Sequence, residues 1–318
     1  MIRNPLQVFI LLLVIFFQSS NVFASWIWTP ETNKWINPKY AVKDTPMDQL
    51  EYALEFYNAG LYEDSIKELK KLIKHYPKAR QAPEAQFYIA ESHLSLEKPF
   101  VAFKAYQQVI DLYPFSDLST KIVKKQFGIG VQALEGINEE KGFLRTVVGT
   151  TKDVADIFRQ VIKNAPYSDL APEAQYKIGL YLMEKKEYQS ARDEFEKTMN
   201  DYPDSDLAGL AKYQIAVVDA ERSTGAAYDQ KVTEAAIAEF KEIAEENPGA
   251  ELSENAKKRI LELREKESEN NYIIAKFYEK QKNYQSAKIY YRIVVDEYPN
   301  SKFSKKALTR MQTLAKFE

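Results

Sequence analysis

Residues 176–205 read YKIGLYLMEKKEYQSARDEFEKTMNDYPDS, and their spacing decides the architecture. Tyr176 and Gly179 stand three positions apart, on one face of a helix. Twelve positions beyond Gly179 comes Ala191, followed at i+4 by Phe195, again a small and a large residue sharing a face. Pro203 lies eight positions past Phe195 and cannot extend that helix, so it marks the exit. Ser205 follows in the turn, where its hydroxyl can cap the next helix. The stretch predicts a pair of helices whose small residues let the two pack closely.

The same pattern recurs six times along the chain. The small, large and proline positions are Ser65/Leu69/Pro77, Ala102/Tyr106/Pro114, Val154/Phe158/Pro166, Ala191/Phe195/Pro203, Ala236/Phe240/Pro248 and Ala287/Tyr291/Pro299. The first helix of each pair carries its own small residue, at Ala53, Ala90, Gly130, Gly179, Ala216 and Ala275. Leading these are Leu50, Phe87, Phe127, Tyr176, Tyr213 and Tyr272. Repeat three holds an extra segment containing Lys141 to Gly149, read as a packed loop. The first helix of the last repeat is long, Leu252 to Tyr278, with charges of both signs on a solvated face. One pair cannot bury its apolar face alone, so the pairs must stack. The order small, small, large, proline matches the tetratricopeptide pattern, with a regular period of 37 residues (Pro166 to Pro203). The expected fold is all-α, a tetratricopeptide-like helical-hairpin solenoid of six repeats over residues 47–316.

Composition narrows the function classes. With 45% hydrophobic and 28% charged residues, a disordered chain is excluded. Basic and acidic residues nearly balance, at 44 and 46, which leaves no broad electrostatic footprint for nucleic acid. Cysteine is absent, which removes disulfides, thiolate metal sites, cysteine nucleophiles and a lipidated N-terminal cysteine together. Arg3, the apolar run Leu6 to Phe17 and Val22-Phe23-Ala24 have the layout of a secretory signal peptide, residues 1–24, cleaved after Ala24, the alternative being an uncleaved N-terminal anchor. Residues 25–46 form an arm that holds all three tryptophans, Trp26, Trp28 and Trp35, with Pro30, Pro38 and Pro46. Trp26 and Trp28 would share one face of an extended strand, and helix is expected only after Pro46. The arm would pack on repeat one or serve as a partner-binding or membrane-interface segment.

No catalytic, cofactor or metal constellation stands out. Gly128-Ile-Gly130 imitates a dinucleotide fingerprint, but it falls inside a first helix. His75 and His93 have no partner at ligand spacing. The paired acids Glu245-Glu246 read as surface charge. A basic cluster, Lys67, Lys70, Lys71, Lys74, Lys78 and Arg80, reads as a solvated face or as a contact for an anionic partner or lipid head group. The expectation is a non-enzymatic protein without a cofactor.

Tyr202-Pro-Asp-Ser205, Tyr298-Pro-Asn-Ser301, the connection from Gly130 through Gly142-Phe143 to Phe158, and the helix from Arg259 through Tyr278 to Tyr284 carry a resemblance. From about Leu50 to Leu314 the chain resembles the outer-membrane assembly lipoproteins of the BamD type, though without their cysteine. Tyr-Pro-x-Ser turns also occur in TolA-binding periplasmic proteins, so a TolA-binding or peptidoglycan-associated adaptor is the alternative. The resemblance implies a periplasmic protein-protein scaffold at the outer membrane. Its implied partners are the barrel assembly subunit and unfolded outer-membrane proteins. Mapping the tetratricopeptide groove onto this register gives Leu50, Leu54, Tyr57, Phe87, Glu91, Leu94, Tyr176, Leu180 and Met183 as partner-binding residues. In the family the C-terminal repeats hold the barrel subunit, which singles out the last pair here, where Lys288 and Arg292 at i, i+4 form a basic stripe for acids on a partner, the alternative being intramolecular pairing of Arg292 with Asp296. Membrane association would then be peripheral, through the arm or a partner.

Overall fold

The computed structural model describes residues 27–29, 34–36, 41–138, 154–222, 230–246 and 248–317. The leader, Trp26 and the Lys141–Gly149 segment lie outside the described residues. The chain divides into two compact units, one ending at Ile122 and one beginning at Val123.

In the first unit, strands β1 (Ile27–Thr29) and β2 (Lys34–Ile36) pair antiparallel, with Trp28 opposite Trp35. Helix α1 (Pro46–Asn58) starts where proline is tolerated, and Thr45 Oγ1 accepts the Asp48 N–H at 3.1 Å. The end of the arm is fastened to the first hairpin. Lys43 N–H donates to Gln49 Oε1 at 2.9 Å, and the Tyr76 hydroxyl donates to the Lys43 carbonyl at 2.8 Å. Helices α2 (Tyr62–His75), α3 (Ala82–Ser95) and α4 (Pro99–Leu112) complete two hairpins, and α5 (Ser119–Asn138) begins at the end of this unit. The Gly128-Ile-Gly130 stretch is helical, within α5.

The second unit continues with α6 (Val154–Asn164), α7 (Leu170–Glu184), α8 (Tyr188–Asp201), α9 (Asp206–Arg222) and α10 (Gln230–Glu246). Then come the long α11 (Glu251–Lys280), α12 (Tyr284–Glu297) and α13 (Ser304–Leu314). Six hairpins are therefore present among the described residues, each leaving its second helix just before the proline marked in the sequence. Helix α13 follows the sixth hairpin. It buries Ala307 and Leu314 against α12 and leaves Lys305, Lys306 and Gln312 exposed.

The repeat pattern is the core. All twelve small and large residues of the second helices, from Ser65 and Leu69 to Ala287 and Tyr291, are completely buried. In five repeats the leading aromatic of the first helix meets the large residue of the second: Phe87–Tyr106, Phe127–Phe158, Tyr176–Phe195, Tyr213–Phe240 and Tyr272–Tyr291, with centroids 5.4–5.7 Å apart. That separation is the range in which aromatic pairs attract. Gly130 and Gly179 lie directly under the Phe158 and Phe195 rings, where a Cβ has no room.

The turns inside four hairpins share one geometry. Gly60, Glu97, Lys186 and Lys282 all have positive φ, between 56° and 76°. In each case the next N–H reaches five residues back, as Leu61 to Phe56 and Glu187 to Leu182, both at 2.9 Å. Only the first repeat uses glycine there. A left-handed conformation costs a residue with a Cβ about 1–2 kcal/mol. Lys186→Gly is therefore expected to stabilise the protein by about 0.5–1 kcal/mol after glycine's larger unfolded-state entropy is subtracted. A raised urea midpoint checks it.

The serine turns partly follow expectation. Ser205 Oγ accepts the Leu207 N–H at 3.2 Å, and Ser301 Oγ accepts the Ser304 N–H at 3.1 Å. Ser168 instead donates its hydroxyl to the Ala165 carbonyl at 2.8 Å, the same oxygen that accepts its backbone N–H at 3.2 Å.

Candidate partner-binding surfaces

The first-helix residues mapped as a groove divide by burial. In the first unit Leu50 and Phe87 are buried in the hairpins, so their side chains serve packing and offer no surface. Leu54 and Tyr57 on α1, and Glu91 and Leu94 on α3, are half-buried. Tyr57 meets Tyr88 edge-on at 5.1 Å and Tyr62 at 5.5 Å, so it stitches α1 to α2 and α3. Burial, and then the Glu91 carboxylate, raise the Tyr57 hydroxyl's pKa. Glu91 itself accepts a hydrogen bond from the buried Tyr106 hydroxyl. Its carboxylate therefore serves the hairpin first and a partner only through its remaining lone pairs.

In the second unit Tyr176, Leu180 and Met183 are half-buried on α7. Tyr176 meets the Phe195 ring at a tilt of 55°, and its oxygen accepts from Gln214 Nε2 at 3.1 Å, so it too is engaged by its neighbours. Leu180 and Met183 are the apolar groups that this face leaves partly open.

On α12, Arg292 is exposed and makes no ion pair with Asp296 among the described residues. Lys288 is half-buried and already engaged within the fold. In the arm, the Trp28 and Trp35 rings meet at 5.6 Å across the two strands. Both stay open to solvent, Trp28 at 41% and Trp35 at 62%. Among the basic cluster, Lys67 pairs with Asp64 at 2.7 Å and Lys71 with Glu68 at 2.8 Å. Lys70, Lys74, Lys78 and Arg80 are exposed.

His93 sits on α3, with its Nδ1 buried and unpartnered. Desolvation first, then Lys70 and Lys98, push its pKa below 6.5. The folded protein therefore binds that proton less readily than the unfolded chain does. Stability should be full above about pH 6.5 and fall as the pH drops through that value. Thermal melts at pH 7.5 and 5.5 are expected to differ less for His93→Gln than for the parent.

One recurring side chain has no role in the sequence reading above. Gln49, Gln86 and Gln175 each stand one position before a leading residue, and each donates to a backbone carbonyl of the second helix: Glu68, Ala105 and Glu194, at 3.1, 3.1 and 3.4 Å. The accepting residue directly precedes the large residue Leu69, Tyr106 or Phe195. Gln126 holds the same sequence position in the third repeat and accepts from Asn164 Nδ2 at 2.8 Å. Extending the repeat alignment by one column would have found these glutamines.

Among the described residues no helix is long and apolar enough to cross a membrane. No group of three or more acids or histidines among them is placed to hold a metal ion.

Residues 166–316 match the model of an outer membrane lipoprotein family, and residues 50–117 match that of a tetratricopeptide repeat. The C-terminal part of a tetratricopeptide-repeat protein from Cytophaga hutchinsonii is 16% identical, with 83% of this chain and 88% of that one covered and a TM-score of 0.36. A tetratricopeptide-repeat protein from Parabacteroides merdae is 14% identical, covering 84% and 98%, with a TM-score of 0.35. No curated protein matches the sequence.

Proposed function

Starting from a helical-hairpin repeat chain whose second half resembles an outer membrane lipoprotein family, we propose a non-enzymatic periplasmic scaffold that binds polypeptides during outer-membrane protein assembly. The match over residues 166–316 is the observation that carries this reading. The partners it points to are the barrel assembly subunit and unfolded outer-membrane proteins. The buried aromatic pairs hold five of the hairpins together, and half-buried side chains on the first helices supply contacts. Leu54, Tyr57 and Leu94 act in the first unit, and Leu180 and Met183 in the second. A rigid face with a few apolar anchors suits extended or helical segments of a partner chain. Export by residues 1–24 places the chain in the periplasm, and Lys288 and Arg292 bring acidic partner groups to the last hairpin.

The test is recovery of partners on the tagged mature chain from detergent-solubilised envelope. Tyr57→Ala with Leu94→Ala, and Leu180→Ala with Met183→Ala, are expected to lower recovery by about tenfold. Lys288→Glu with Arg292→Glu is expected to weaken envelope association more than deletion of residues 25–35. Unchanged recovery in both first-helix doubles would remove the groove. Co-purification with a TolA-containing complex in place of the barrel subunit would replace assembly by the adaptor role.

A further inference from the structure

The first unit carries a second surface that the first-helix groove does not include. Between the turn after α2 and the turn after α4 lies an open groove of about 710 Å³. Its apolar side is built by Tyr88, Leu112 and Phe115. Leu112 is 62% exposed and Phe115, which directly follows Pro114, is 99% exposed. A phenylalanine that open gains nothing from the hairpin beneath it, so its apolar area is available to something else.

The charges along this groove are also unused. Lys78, Arg80 and Lys121 line it, and none forms an ion pair among the described residues. Lys121 Nζ lies 4.4 Å from the centre of the Phe87 ring, which fixes where that cation stands. Lys67 and Lys71, on the same unit, are by contrast neutralised by carboxylates one turn away. Two acids, Glu84 and Asp117, also line the groove, leaving the cations in excess.

The second unit supplies an internal comparison. Its own groove between successive inter-repeat turns, of about 700 Å³, lies beside Tyr167, which follows Pro166 and is 100% exposed. The charged groups lining that one are Asp169, Asp201, Asp204 and Asp206, with no cation. The same place in the repeat thus carries opposite charge in the two units, so the cations of the first are not a by-product of the turn.

We propose that the turn-edge groove of the first unit binds an extended acidic peptide segment that carries an aromatic or large aliphatic side chain. Its carboxylates meet Lys78, Arg80 and Lys121, and its apolar side chain lies against Leu112 and Phe115. A concave, cation-lined groove fits a peptide strand better than a flat lipid surface, which would need the apolar groups to protrude together. The proposal does not rest on the first-helix reading, and variants of Leu180 and Met183, in the second unit, leave this groove intact.

Fluorescence anisotropy of the mature chain tests it, with a labelled peptide of about eight residues, a central phenylalanine and flanking aspartates and glutamates. A peptide with lysines in place of the acids, and vesicles of phosphatidylglycerol with phosphatidylethanolamine, are the comparison probes. The acidic peptide is expected to bind more weakly as salt is raised, and the lysine peptide not to bind this groove. Lys78→Glu with Arg80→Glu and Lys121→Glu, and separately Phe115→Ser, should each raise Kd by about tenfold or more. All four positions are exposed, so melting temperature should hold; Asp204→Lys in the other groove should leave Kd unchanged. The proposal is overturned if the acidic peptide fails to bind, or if the charge-reversed triple binds it equally. It is also overturned if the triple loses vesicle binding while peptide binding never occurs, which assigns the surface to lipid.

Discussion

Gly179→Ala is expected to lower the stability of the second unit by about 2–3 kcal/mol, although alanine is the better helix former. A Cβ at that position would stand 2.5 Å from Phe195 Cε1 and 2.7 Å from its Cδ1. The ring cannot retreat, because Phe195 is completely buried and also packs against Tyr176 at 5.4 Å. Overpacking therefore has to move a helix. Gly128→Ala, on α5, is the matching control. Nothing lies within 4 Å of a Cβ there, so helix propensity should prevail and stability rise by about 1 kcal/mol. Adding Phe195→Leu to Gly179→Ala should return part of the loss, since the two residues share one contact. Urea unfolding followed by circular dichroism measures all three. A Gly179→Ala protein as stable as Gly128→Ala would contradict the close approach of α7 and α8.

Tyr106→Ala should cost about 3–5 kcal/mol, the range for removing a large buried aromatic. The side chain is completely buried in the second hairpin, against Phe87 at 5.7 Å, and its hydroxyl donates to Glu91. Tyr106→Phe separates the ring from the hydrogen bond. It keeps the packing and removes a donor from a half-buried carboxylate, a loss of about 1–3 kcal/mol. Glu91→Leu added to Tyr106→Phe should recover part of that, because no carboxylate is then left short of the hydroxyl's donor. Equal stability of Tyr106→Phe and the parent would show that Glu91 does not depend on the Tyr106 hydroxyl. Burial, and then Glu91, hold the Tyr106 hydroxyl well above its usual pKa, so it stays a donor throughout the neutral range.

These two sites show why some positions in the repeats tolerate no change while others on the same helices are open. Gly179 and Tyr106 belong to the small–large register that the sequence repeats six times. The mapped groove residues belong to the adjoining positions, where the register says which helix they occupy but not how much of each side chain remains uncovered.

The sequence by itself determined the helical hairpins, their number, their prolines, the long helix over 252–278 and the burial of the small and large residues. Those features follow from spacings of three, four, eight and twelve positions, which a helix of 3.6 residues per turn converts directly into faces. Tertiary structure decided the rest. It buried Leu50 and Phe87, engaged Tyr176 with Gln214, and committed Glu91 to Tyr106, fifteen positions away. It also set Trp28 against Trp35 and left Phe115 and the nearby cations uncovered. The physical reason is range: periodicity records which face a residue occupies, whereas coverage and hydrogen-bond partners depend on helices that lie distant in sequence and close in space.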